Sequence, residues 1–168
     1  MREYPGRLHH NTPGWVKDGS IFHLRIRADP QQTTPLTAPD LAVQLLAAVR
    51  RYHELGHWWC ELFLLMPDHA HALLAFPAEP GVSEALRNWK RGTTRFQHVE
   101  WQDGYFDHRL RADQSRRETW DYIRRNSVVK GLCTTEDDWP WWWSGIVPNP
   151  KVERVDLNAL HLGRPALR

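Results

Sequence analysis

Stretches of strand period and helix period alternate along this chain in the order strand, helix, strand, strand, helix, strand, with one further helix behind them. That order is the split β-α-β repeat, and it predicts an α+β fold: a ferredoxin-like sandwich with a mostly antiparallel sheet, helices on one face, and an additional helix. Three observations carry the prediction. Ser20 to Arg27 alternates polar and apolar residues, Trp58 to Phe76 is apolar on both sides of a Pro67-Asp68 turn, and amphipathic helices fill the gaps. At 168 residues the chain can bury one real core and is too short for two comfortable ones.

Residues 1–19, rich in His, Pro and Gly, read as an irregular arm before a domain at 20–143. The first strand sets Ile21, His23, Arg25 and Arg27 on one side and Phe22, Leu24 and Ile26 on the other. After a Pro-rich loop, Thr37 or Asp40 is expected to cap a helix whose apolar residues Leu41, Val43, Leu45, Leu46, Val49 and Tyr52 run to Leu55-Gly56. The two strands of the Pro67-Asp68 hairpin follow. A second helix from Ser83 through Phe96 puts Arg87, Arg91 and Arg95 at i, i+4 and i+8 with Lys90 beside them, and sets Val82, Leu86, Trp89 and Phe96 opposite. Such a stripe is either a solvated face or a phosphate track. Tyr105 to Arg111 reads as a fourth strand with Arg109 and Arg111 on one side. The third helix starts at Gln114 or Ser115, runs to Val129, and is stopped by Gly131. Trp139 and the Trp141-Trp142-Trp143 run read as a hydrophobic clasp or as a base-stacking platform, and 144–168 as a tail.

Two cysteines, Cys60 and Cys133, are too few for a disulfide framework and lack ligand spacing. The longest apolar run, Trp58 to Met66, is broken by Glu61 and is too short to span a membrane. Met-Arg-Glu-Tyr-Pro-Gly carries no apolar signal core, so a reduced, cytoplasmic setting is expected. Net charge is only +2, but 18 of the 22 basic residues are arginine and 10 residues are tryptophan. Arginine grips phosphate bidentately and stacks on bases, so arginine with exposed aromatics suits single-stranded nucleic acid. A coding bias towards arginine and tryptophan would give the same composition.

Met66-Pro67-Asp68-His69-Ala70-His71 carries the chemistry. On a strand His69 and His71 project from one side, about 6–7 Å apart, as two ligands of one metal ion would. Locally hydrogen-bonded, half-buried histidines would show the same spacing. On the third helix Tyr122 and Asn126 share a face at i and i+4. Packed over the histidines, that helix would add an amide oxygen and a phenol. A mixed nitrogen and oxygen set with open positions suits Mn2+ or Mg2+, the histidines favouring Mn2+. Free tyrosine has a pKa near 10, leaving about one phenolate in a thousand at neutral pH, a cost of roughly 4 kcal/mol. Arg124, Arg125 or the metal would reduce that cost. Taken singly, Tyr122 also fits a core position, Asn126 a helix end, and Arg124 and Arg125 a solvated face. Tyr105 is the rival nucleophile.

The hairpin sequence resembles the histidine–hydrophobic–histidine motif of the HUH endonuclease superfamily. Tyr105-Phe106-Asp107-His108-Arg109-Leu110-Arg111, followed by Tyr122-Ile123-Arg124-Arg125-Asn126, resembles its single-tyrosine transposases, especially the REP-associated tyrosine transposases. Trp89-Lys90 and Glu136-Asp137-Asp138-Trp139-Pro140 fit the same branch, so the likeness covers about residues 7 to 143 in order. It implies a ferredoxin-like domain that nicks and rejoins single-stranded DNA beside hairpins, as a monomer or homodimer. It makes His69, His71 and Asn126 metal ligands, and Tyr122 the nucleophile of a 5′-phosphotyrosine intermediate. By the same likeness residues 8–17 and 144–168 would read the hairpin. The chain departs from the family's Asn-Pro-Val at Asn126-Ser127-Val128, and without proline the helix is free to run on and re-aim Asn126. A hairpin-binding protein that cleaves little is the alternative, and a purely structural module the third reading.

Overall fold

The computed structural model describes residues 14–17, 20–111 and 113–153. A short helical turn, α1 (Gly14–Lys17), precedes β1 (Ile21–Arg27), α2 (Pro39–Glu54), β2 (Trp59–Leu65), β3 (His69–Ala75), α3 (Val82–Gln97), β4 (Phe106–Leu110) and α4 (Asp113–Val129). A 3₁₀ turn at Glu136–Asp138, the two-residue strand β5 (Trp142–Trp143) and α5 (Pro150–Glu153) complete it. The sheet order is β4-β1-β3-β2-β5 with every pairing antiparallel, the ferredoxin-like order with one strand added at the β2 edge.

Residues alternate faces along a strand, so each face of the sheet carries its own core. Leu24, Ile26, Ala70, Ala72, Leu74, Phe63 and Leu65 pack under α2 and α3. Ile21, Leu73, Ala75, Leu62, Leu64 and Met66 pack under Trp120 and Ile123 of α4. The expected helices on one face are α2 and α3, and the additional helix takes the other. Covered on both sides, β2 is buried along its whole length, which is why it reads as a continuous apolar run. A register shift between Cys60 and Leu62 brackets Glu61, whose fully buried carboxylate is paired with Arg116 of α4.

Some local expectations give way to others. No side chain caps α2: Ala38 is the N-cap, and Pro39 supplies the fixed φ that suits a first turn, with Asp40 there as a favourable charge. On α3, Leu86 and Trp89 are buried, but Phe96 is 44 % exposed beside Arg95. The end of α4 is as expected, with Gly131 at φ 70° donating its N–H to the Val128 carbonyl and Leu132 donating to Ser127. The clasp reading of the tryptophan run fits: Trp142 and Trp143 are buried and pair with Leu64 and Phe63 as a strand that the sequence reading did not foresee. The arm and tail contribute as well, Val16 to the α4-side core and Val152 to the other. The expected hairpin-reading segments at 8–13 and 154–168 lie outside the described residues.

Candidate active site

The site lies where β1 and β3 run beneath α4. In the sheet register Arg25 sits opposite His71 and Arg27 opposite His69, and His23 is one step further along β1 on the same face. The two imidazoles predicted to converge do so: His69 Nε2 lies 3.2 Å from His71 Nε2. Their other ring nitrogens are both occupied. His69 Nδ1 is 2.6 Å from the Asp68 carboxylate, and His71 Nδ1 is 3.1 Å from His23 Nε2.

These contacts restrict the protons. A carboxylate only accepts, so His69 carries its proton on Nδ1 and donates it to Asp68. If His71 likewise donates its Nδ1–H to His23, both Nε2 atoms present lone pairs to each other at 3.2 Å. That arrangement repels unless a cation lies between them. Two cis ligands, each about 2.1 Å from one ion, sit about 3 Å apart, so the spacing is that of one edge of a coordination shell. Asp68 and His23 stand on the outer ring nitrogens, the positions from which such partners fix the tautomer of an imidazole that binds a metal. Burial, then His69, His23, Arg25 and Arg27, push the His71 pKa down to about 3, and burial, His108 and Arg25 push His23 to about 4. Both stay neutral, as ligation requires. The bond from His69 holds Asp68 below its ordinary value. The donor set therefore fits a divalent cation at the His69–His71 edge. No third His, Cys, Asp or Glu joins the pair among the described residues, because His23 approaches His71 from the far side of the ring.

Tyr122 stands over this chain of rings. It is 58 % exposed, with its ring centroid 6.0 Å from that of His23 and 6.1 Å from that of His71, edge-on to both. The helix that presents it is anchored along its length. Arg116 pairs with buried Glu61, Ile123 is fully buried, and the Arg124 guanidinium lies 4.4 Å from the Trp142 ring centroid. Asn126 is buried, and its amide Nδ2 donates to the Tyr122 carbonyl at 2.9 Å and the Ile123 carbonyl at 3.4 Å. The amide nitrogen is thus turned onto its own helix. With no proline at 127, α4 runs on to Val129, and Ser127 Oγ is buried without a hydrogen-bond partner among the described residues.

The basic residues expected on DNA are scattered. Arg87, Arg91 and Arg95 are exposed on α3, across the sheet from the histidines. Lys90 is tied down, donating to the carbonyls of Gln102 (2.8 Å) and Gly104, and burial lowers its pKa. With Arg87 and Arg91 it lines a groove of about 490 Å³. Arg109 is exposed opposite Phe22, facing away from the histidines, and Arg111 follows the strand, also exposed. Arg124 differs from the expected surface cation: it is buried, donates to the Glu136 carbonyl at 3.1 Å, and lies 3.7 Å from Asp137. Arg125 is exposed, and its Nε donates to Glu136 at 3.2 Å. Tyr105, the rival nucleophile, is bonded through its hydroxyl to Ser83 at 2.8 Å, on the α3 side. Sequence reasoning missed His23 and the outer role of Asp68. The signal for His23 was present in the Ile21, His23, Arg25, Arg27 alternation, but only strand pairing sets it beside the hairpin, whereas Asp68 stood next to His69 in the sequence.

No family model and no curated protein matches the chain. Among solved structures, it is similar over 74 % of its length to 97 % of a candidate transposase from Deinococcus radiodurans R1, with 17 % identity and a TM-score of 0.45. It is also similar to a REP-associated tyrosine transposase bound to a REP hairpin, with 20 % identity and a TM-score of 0.62 over 84 % of this chain and 82 % of that one. The sheet order and the extra helix over its second face thus form the fold of that transposase.

Proposed function

We propose that this chain is a metal-dependent, single-strand-specific DNA endonuclease and strand transferase that nicks and rejoins DNA beside hairpins. One observation carries the reading: an exposed tyrosine edge-on to His71 and His23, where His71 is the imidazole whose Nε2 faces that of His69. The likeness in fold to a transposase bound to a REP hairpin supports it. Tyr122 Oη attacks the scissile phosphorus, the bond from phosphorus to the 3′-oxygen breaks, and the product is a 5′-phosphotyrosine. The phenol loses its proton and the departing 3′-oxygen takes one up. Rejoining is the reverse attack by another 3′-hydroxyl. His69 and His71, with Asn126 as the oxygen donor, would hold Mn2+ or Mg2+, which when bound polarises the phosphodiester and neutralises charge developing on it. Arg25 and Arg27 flank the pair and add positive potential where that charge appears.

The test is a covalent adduct. With Mn2+ and a hairpin oligonucleotide, the protein should retain the 3′-labelled fragment and release the 5′-labelled one with a free 3′-hydroxyl. Tyr122→Phe should abolish the adduct and spare binding, whereas Tyr105→Phe should change neither. An adduct that survives in Tyr122→Phe overturns the nucleophile. The second reading, a hairpin-binding protein that cleaves little, draws on the Asn126 amide turned onto its own helix and on the unbroken helix at Ser127. Binding without any wild-type adduct would favour it.

A further inference from the structure

Among the described residues, the part of the histidine face that α4 leaves uncovered ends in a groove of about 370 Å³ lined by Arg25, Arg27, Asp103, Tyr105 and Phe106, among others. Its position relative to the histidines is fixed by the sheet. Arg25 lies between His71 on β3 and Phe106 on β4, and Arg27 is opposite His69. Neighbouring strands are about 4.8 Å apart, so Phe106 stands about 10 Å from His71 with a guanidinium between them. Phe106 is 54 % exposed although it sits in the sheet, and the Arg25 guanidinium carbon is 5.6 Å from its ring centroid. Arg25 has no ion pair among the described residues.

A ring open to solvent, a cation beside it and a second cation one step along repeat the base and phosphate alternation of a single strand. A groove of this size is in the range of small-ligand sites. Asp103 on the loop side repels a phosphate, so the backbone is left to the β1 side and the base to the ring. We propose that Phe106, Arg25 and Arg27 form a nucleotide subsite for single-stranded DNA next to the phosphate presented to Tyr122. The base stacks on Phe106 and its phosphate is gripped by the two guanidiniums. The subsite rests on the DNA-cleaving reading above and adds to it where the strand runs.

Abasic scanning tests it on the full chain. Hairpin oligonucleotides with a single-stranded flank, each lacking one base, are titrated by fluorescence anisotropy in EDTA. For the wild-type protein one flanking position should be sensitive, with binding weakened about 5- to 150-fold when its base is missing. Phe106→Leu should weaken the intact oligonucleotide to the same degree and erase that sensitivity, while Phe106→Trp retains both. Arg25→Gln should lower the slope of log affinity against log salt by about 0.7. If wild type forms the Tyr122 adduct but Phe106→Leu leaves affinity and scan unchanged, the subsite is wrong and the enzyme reading stands. If the scan responds as expected while no adduct forms, the subsite stands and the cleavage reading falls. A wild-type scan with no sensitive position overturns the subsite outright.

Discussion

Alternate residues of the same strands build two different surfaces on this sheet. On one, α2 and α3 lie side by side over Leu24, Ile26, Phe63 and Leu74, and Trp58 and Trp89 are buried beneath them. On the other, α4 covers Leu62, Leu64, Leu73 and Ala75, while His23, Arg25, His69 and Phe106 lie along its flank. Width explains the difference. Five strands about 4.8 Å apart make a sheet of roughly 24 Å, and a helix with its side chains is about 10 Å across. Among the described residues, two helices seal one face, and one helix leaves about half of the other open. The open half is where polar side chains can be held by a sheet and still meet a substrate.

The sharpest way to break this contrast is one truncation on each face. Trp89→Ala empties a fully buried site ringed by Trp58, Phe63 and Trp101 and should cost about 3–5 kcal/mol of stability, read as a fall in Tm. Adduct formation per folded molecule should survive at low temperature. His71→Ala should do the opposite, removing the adduct with a much smaller fall in Tm. Comparable Tm losses, or an active His71→Ala protein, would mean that the two faces do not divide stability from chemistry.

The contrast also shows what was legible in the sequence. Period alone gives β1 to β4 and α2 to α4, and the i, i+2 spacing alone puts His69 and His71 on one side, because both are local. The role of His23 was not legible, since it depends on a pairing between residues 48 positions apart. Composition misled about the aromatics: among the described residues seven tryptophans are buried, and the large exposed rings are Phe96, Phe106 and Tyr122. Counting residues does not reveal which face each will join. Arg124 and Arg125 looked equivalent, yet neighbours on a helix point about 100° apart, and one is buried against Trp142 while the other is exposed. At the start of α2, Pro39 took the role expected of Thr37 or Asp40.

A smaller effect separates the histidines that face each other from the one behind them. His23 lies behind His71 and bonds to its Nδ1, so on the proposed reading His23→Ala should leave His69 and His71 in place and weaken Mn2+ binding by about 10- to 100-fold. Isothermal titration of the metal without DNA reads this directly. Unchanged affinity would make His23 a bystander of packing, and complete loss of binding would make it a ligand in its own right.

The mildest test uses acid on the metal-free protein. His71 and His23, held at about 3 and about 4, remain neutral when folded, whereas in the unfolded chain each takes a proton near 6.5. Between those values the unfolded state binds more protons, so stability rises with pH. The contribution is complete above about 6.5 and is lost as pH falls from there towards 4 and then 3. By pH 5 the loss amounts to about 1 kcal/mol for each histidine after allowance for partial exposure. Asp68 has the opposite sense: its lowered value contributes above the ordinary carboxylate pKa and is lost only in stronger acid, outside this window. In EDTA, Tm should therefore drop between pH 7.5 and pH 5, and by less in His23→Gln. Among the described residues the buried face holds no such pair, since His53, lowered by burial against an opposing effect of Glu54, is only half-buried at its margin. An identical pH dependence in His23→Gln would place the acid sensitivity elsewhere and remove the histidine chain from the energetics of the fold.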